Sequence, residues 1–124
     1  MEINYIENGS VTSAKGFTAN GICAGVKASN TTKKDLALIY CDKVCNSAAI
    51  FTKNLVKSDT IYVTKKHLEN GTAQAVVVNS GNANACNPDG YEKAEKMCSL
   101  AADALGVDEN DVIVASTGVI GQPL

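Results

Sequence analysis

The sequence predicts a layered α/β domain, with helix packed on sheet. Three observations carry that expectation. Two apolar runs of strand length, Ala73-Gln-Ala-Val-Val-Val-Asn79 and Val112-Ile-Val-Ala115, flank a single stretch with helical periodicity. Both runs end abruptly in small polar residues, Asn79-Ser80-Gly81 and Ser116-Thr117-Gly118. A crossover helix between two strands makes them parallel, which brings both carboxyl-terminal ends to one edge. No repeat, low-complexity tract or linker divides the 124 residues, so 1–124 reads as one domain.

Taken in order, the chain begins with a polar lead-in from Gly9 to Gly16. Gly16 to Lys27 alternates loosely and carries glycines at 16, 21 and 25, the pattern of a bent hairpin. Asp35 to Cys41 reads as the next strand, followed by a polar turn from Asp42 to Ser47. Ala48 to Thr52 and Thr60 to Thr64 read as two more, on their β-branched and aromatic content. Thr64 is placed to cap a short helix through Leu68, closed by Asn70-Gly71. Ala73 to Asn79 is the strongest strand, and Ser80 to Cys86 after it is a tight loop dense in Asn and Gly. Tyr91 to Leu105 is amphipathic: Ala94, Met97, Cys98, Ala101 and Leu105 share one face, opposite Glu92, Lys93, Lys96 and Asp103, and Gly106 ends it. Val112 to Ala115 fits a strand buried on both faces and stopped by Ser116-Thr117-Gly118.

Composition excludes several classes. The net charge is −2 and the 11 basic residues are scattered, whereas nucleic-acid binding needs a concentrated positive face. No stretch approaches the roughly 20 apolar residues of a membrane span. The acidic opening Met1-Glu-Ile-Asn-Tyr-Ile-Glu7 lacks the order of a signal peptide, so a cytoplasmic location is expected. Five cysteines, an odd number, then read as reduced thiols serving mostly as small core residues. Cys41-x-x-x-Cys45 offers half of a zinc site without a second ligand pair, so no metal is expected. The single histidine, His67, lies among Lys65, Lys66 and Glu69 and reads as part of a charged surface turn rather than a general base.

The remaining motifs narrow the chemistry. Gly81-Asn-Ala-Asn-Ala-Cys86 has one glycine and no lysine, unlike a phosphate-binding loop. Gly118-Val-Ile-Gly121 has the outline of an RNA clamp, but its centre is apolar and no basic face surrounds it. A serine or cysteine nucleophile would lack a base. What the residues do offer is a donor-rich strand end at Thr117 and Gly118, able to receive a developing negative charge. That is half of an acyl-transfer site.

Five motifs then stand in order: Gly16-Phe-Thr-Ala-x-Gly21, Lys34-Asp-Leu-Ala-Leu38, Ala49-x-Phe-Thr-x-Asn54, Asn79-Ser-Gly-Asn-Ala-Asn-Ala-Cys86 and Ser116-Thr-Gly-Val-Ile-Gly121. Together they resemble the ArgJ family, the glutamate N-acetyltransferase/ornithine acetyltransferases of arginine biosynthesis. The resemblance covers essentially the whole chain. It implies the amino-terminal portion of the ArgJ/DmpA-like self-processing fold, from a precursor that cuts itself just before a threonine into α and β chains. That threonine takes an acetyl group from N2-acetylornithine as an acyl-enzyme and passes it to glutamate, releasing ornithine. Some members also take acetyl-CoA as donor, as a substrate and not as a resident cofactor. The family's oxyanion-hole pair falls on Thr117 and Gly118. The implied partner is the β chain of the same precursor, in an α2β2 heterotetramer.

Two small departures mark this chain: Ser58-Asp59-Thr60, where the family has small apolar residues and proline, and Asn87-Pro88, where it continues Thr-Gly. The larger one is that the sequence stops at Leu124, before the family's cleavage point. The nucleophilic threonine and the ornithine-binding residues are then expected elsewhere in the precursor. The 124 residues are expected to be inert alone and, with apolar surface uncovered, to self-associate. Asn79, Ser80, Asn82 and Asn84 stay open between stabilising their loop and touching substrate. Two other readings remain at this point: a non-catalytic binding domain of the same fold, and a related self-processing, aminopeptidase-like hydrolase.

Overall fold

The computed structural model describes residues 3–124, which form one four-stranded sheet with two helices. The strands are β1 (Phe17–Ile22), β2 (Leu36–Asn46), β3 (Thr72–Asn82) and β4 (Val112–Val119), lying side by side in the order β1-β2-β3-β4. β1, β2 and β3 pair antiparallel, and β3 and β4 pair parallel. The helices are α1 (Asp59–His67) and α2 (Gly90–Leu105), the second being the crossover between the parallel strands. Among the described residues no helix is long and apolar enough to cross a membrane.

β3 buries every second residue along most of its length, as a strand covered on one face should. Its inward residues Ala75 and Val77 meet Val112 and Val114 of β4, and α2 adds Ala94, Cys98, Ala101 and Ala102. α2 therefore follows its amphipathic pattern, and Gly106 closes it in the left-handed region at φ 69°. Burial pushes the Cys98 thiol up to about 12, which leaves it a packing residue. β4 is not buried on both faces as its apolar run suggested. Val112 and Val114 are buried, while Ile113 and Ala115 on the far face are only half covered, because both helices pack on one side.

Several elements differ from the sequence expectation. Residues 60–64 are not a strand but the middle of α1, despite their β-branched run. Ser58 caps that helix by accepting from the Thr60 N–H, Asp59 opens its first turn, and Thr60, Val63, Thr64 and His67 repeat at helical spacing toward the core. The expected cap at Thr64 thus moves to Ser58, while the expected stop survives: Leu68–Asn70 is a 3₁₀ turn and Gly71 follows at φ 74°. Residues 48–52 form no strand; they lie in an irregular exposed segment with no neighbour to pair with. Gly16 to Lys27 holds a single strand, β1, whose hairpin partner is β2. Asp42 to Ser47 is not a turn, since β2 continues through Asn46 with an irregular register between Tyr40 and Cys45. β3 and β4 also run past their apolar stretches, because Asn79 to Asn82 pairs with Ser116 to Val119.

His67 is the largest departure. It is 3% exposed, not part of a surface turn. β4 is an edge strand, and α1 fastens its outer side. The Thr64 hydroxyl donates to Val114 O at 2.8 Å and accepts from Val114 N at 3.2 Å. His67 Nδ1 lies 2.9 Å from Val112 O, and Nε2 lies 3.3 Å from Glu95 of α2. A helix side chain here does what a fifth strand would do, satisfying buried backbone groups. Thr64→Val keeps shape and removes both Val114 bonds. It is expected to lower unfolding free energy by about 2 kcal/mol in urea titrations, because a buried N–H and C=O lose their partner.

Candidate functional site

The parallel pair places both polar strand ends at one edge. Asn79, Ser80, Gly81 and Asn82 stand opposite Ser116, Thr117, Gly118 and Val119. The backbones come close enough to exclude side chains. A Cβ on Gly118 would lie 2.5 Å from Gly81 O and 2.7 Å from Asn82 N, and Gly118 sits at φ 136°, where a side chain is strained. A Cβ on Gly81 would meet Lys27 N and the Val26 side chain at 3.1 Å. Thr117 and Gly118 themselves are exposed. A backbone donor and a hydroxyl thus stand at an open lip held by crowded backbone beneath it.

Three buried asparagines hold that lip. Asn79 donates through Nδ2 to Ser116 Oγ at 2.6 Å, and its carbonyl accepts from Asn82 N at 3.1 Å. The Asn82 carbonyl in turn accepts from Asn84 N at 2.7 Å, and its amide donates to Gln122 O at 2.9 Å. Asn84, in the left-handed region at φ 48°, donates to Gly90 O at 2.7 Å where α2 begins. Asparagine tolerates that conformation and bonds its own turn. The amides of Asn79, Asn82 and Asn84 therefore serve the loop, while Ser80 alone of the four is exposed.

One contributor left no plain signal in the sequence. Asp35, buried before β2, accepts from Ala24 N at 2.6 Å, Val26 N at 2.9 Å and Asn30 Nδ2 at 2.7 Å. Its own carbonyl accepts from Ser80 N at 2.8 Å. Asp35 thereby fixes residues 24–30 against the strand end, with Val26 and Lys27 over Gly81. The same segment and Ser80 border a polar cavity of about 360 Å³ that also receives Lys33 and Lys34. A larger apolar cavity, about 380 Å³ between β1, β2 and α2, includes neither Thr117 nor Gly118. His67, buried behind β4, is not brought to this lip; its ring nitrogens face Val112 and Glu95.

The ArgJ family model matches residues 18–124. The chain belongs to the ArgJ family. The arginine biosynthesis bifunctional protein ArgJ of Caldanaerobacter subterraneus is 48% identical over 120 residues, covering 96% of this chain and 29% of that relative. ArgJ 1 of Clostridium acetobutylicum is 45% identical over 123 residues, covering 98% of this chain and 30% of the relative. Among solved structures, ArgJ of Bacillus halodurans superposes with TM-score 0.88 at 44% identity, over 94% of this chain and 60% of that one. Ornithine acetyltransferase of Mycobacterium tuberculosis, solved with ornithine, superposes with TM-score 0.84 at 39% identity, over 92% and 62% respectively. The α/β architecture is thus that of ArgJ structures, and the chain spans 29–30% of the length of these curated relatives.

Asp35 gives this ArgJ lip a pH limit. The Ala24 N–H first, then the Asn30 amide, hold its carboxyl below the ordinary carboxylate range, against the opposing effect of burial. A depressed folded value contributes stability that is full above the unfolded value, about 4, and is lost as pH falls through the lower folded value. The protection factors of the Ala24 and Val26 amides, which divide out the intrinsic pH dependence of exchange, are expected to be high at neutral pH and to fall on acidification through that window. Asp35→Asn should show low protection there at all pH values. Equal protection in the variant would exclude this anchoring role.

Proposed function

We propose that this chain is the amino-terminal part of an acetyltransferase of arginine biosynthesis, moving acetyl from N2-acetylornithine to glutamate through a threonine acyl-enzyme. The observation that carries the reading is the paired strand end, with Thr117 and Gly118 exposed over the glycine contact Gly81/Gly118. The names of the ArgJ relatives, arginine biosynthesis bifunctional protein and ornithine acetyltransferase, support the reaction class.

Thr117 and Gly118 act as the oxyanion hole. When the threonine hydroxyl at the head of the β chain attacks the acetyl carbonyl, the carbonyl oxygen gains negative charge. The Thr117 O–H and the Gly118 N–H both donate to it. Collapse of that intermediate breaks the amide bond, ornithine leaves as an amine carrying the proton that the threonine hydroxyl gave up, and acetyl stays on the threonine. The glutamate amine then attacks the same carbonyl, and the same two donors hold the second oxyanion. The acyl–threonine C–O bond breaks, and the threonine oxygen takes back the proton lost by that amine as N-acetylglutamate leaves. Donors fixed by the fold need no rearrangement as charge develops, which is where their advantage lies. Crowded glycine backbone and three buried amides provide that rigidity here.

In this reading the 124 residues supply donors, and the nucleophilic threonine comes from a later part of the precursor, so they are inert alone. The complete enzyme is a self-cleaved cytoplasmic α2β2 assembly without a resident cofactor, and acetyl-CoA is an alternative donor. The test begins with the intact mass of protein expressed from the complete reading frame, where two chains are expected, the second beginning with threonine. In that enzyme Thr117→Ala is expected to lower kcat for acetyl transfer by about 10²–10³-fold with normal folding, since one oxyanion donor is lost. A single uncleaved chain, or an unchanged kcat, would sink the proposal.

A further inference from the structure

The Cys41-x-x-x-Cys45 pair plays no part in the acyl-transfer lip. From Tyr40 to Cys45 is five steps along β2, but their partners Ala75 and Ala73 are only two steps apart on β3. Three residues are therefore bulged out, and the two cysteines are drawn together where a regular strand would hold them four residues apart. The Cys45 Sγ–H donates to Cys41 Sγ at 3.4 Å. Cys41 is buried and Cys45 half-buried, and both border a cavity of about 210 Å³ beside Phe17, Ser47 and Gln74.

We propose that Cys41 and Cys45 form a dithiol modification site, which a small dialkyl disulfide oxidises to an intramolecular disulfide across the β2 bulge. The thiolate of Cys45, the more accessible, attacks one sulfur of the reagent. That S–S bond breaks, a first alkyl thiolate leaves, and it takes up the proton lost by Cys45. The Cys41 thiolate then attacks Cys45 Sγ and displaces the second alkyl thiolate, which takes the Cys41 proton. Two cysteine thiols are oxidised and one dialkyl disulfide is reduced to two thiols. A sulfur pair at 3.4 Å needs only a small closing movement, which a bulge can absorb and a flat ladder cannot. The hydrogen bond to Cys41, then burial, hold the Cys45 thiol above its ordinary range. Besides Cys41, the group facing it is the Asp42 carboxylate, which acts in the same direction. Exchange is therefore slow at neutral pH and accelerates as pH rises.

The test uses hydroxyethyl disulfide on the 124-residue chain with the exposed Cys23 and Cys86 changed, Cys23→Ser and Cys86→Ser. The intact mass is expected to fall by about 2 Da with no adduct retained, as intramolecular closure removes two hydrogens. Trypsin cuts after Lys43, so the peptides carrying Cys41 and Cys45 should be found joined. Adding Cys41→Ser should convert the product to a stable mixed disulfide on Cys45. A persistent Cys45 adduct with Cys41 present would overturn the proposal. So would the absence of reaction at either sulfur after prolonged exposure at a pH raised to about 9, where more of the thiol is thiolate.

Discussion

The parallel pairing of β3 and β4 past their apolar stretches is the constraint on which the rest of the structure depends. Residues 75–78 and 112–115 would pair on hydrophobic grounds alone. Continuing the ladder through Asn79 to Asn82 and Ser116 to Val119 requires glycine at 118, where a Cβ would meet the Gly81 and Asn82 backbone, while Gly81 makes room for Val26 and Lys27. Because the pairing is parallel, the connection must cross over, and α2 supplies that crossover while covering the inner face. Because β4 is then an edge, α1 is needed beside it to satisfy Val112 and Val114. Each element answers a need set by that single pair of strands.

This dependence explains what could be read from the sequence and what could not. α2 was legible because its apolar residues repeat at 3.6, and β3 because Val76-Val77-Val78 sits among strand formers and ends in polar residues. Their order around one helix was enough to place Asn79 and Ser116 at one edge. α1 was not legible as a helix, since Thr60-Ile-Tyr-Val-Thr64 has the local propensity of a strand. Its inward threonines and histidine make sense only once β4 has an unpaired edge, and tertiary bonding then overrides propensity. His67 was misplaced for the same reason: charged neighbours mark a surface turn in a linear reading, but on α1 Lys65 and Lys66 stay exposed while His67 turns into the buried face.

At the candidate site, Thr117 and Gly118 could be singled out as small polar residues at a strand end, and the role proposed for them is the one the family resemblance implies. Their supports could not be found that way. Asp35 is remote in sequence from both, and nothing in the run Lys33-Lys34-Asp35 distinguishes a buried carboxylate from a solvated one. It becomes necessary only because residues 24–30 bring backbone N–H groups over Gly81 that need an acceptor. Asn79, Ser80, Asn82 and Asn84 were visible as a cluster, but the three asparagines turned out to be buried and bonded within the strand end and its loop, and only Ser80 faces solvent.

That division of labour bears on how a strand end can serve as an electrostatic site. Donors for a transient oxyanion must be rigid, yet they must not be satisfied by the protein in a way that competes with the ligand. Here the residues that confer rigidity, Asn79, Asn82, Asn84 and Asp35, are all buried and bonded to backbone or to each other's neighbours. The residues proposed for the oxyanion, Thr117 and Gly118, are exposed and stand opposite Ser80 and Gly81, between the levels of Asn79 and Asn82. Burying the supports where water cannot compete and leaving the donors at the rim lets one edge be both stiff and available. A serine or alanine at position 118 would break this arrangement from the inside, since its Cβ would push against Gly81 O and Asn82 N and separate the strands that hold the donors in place.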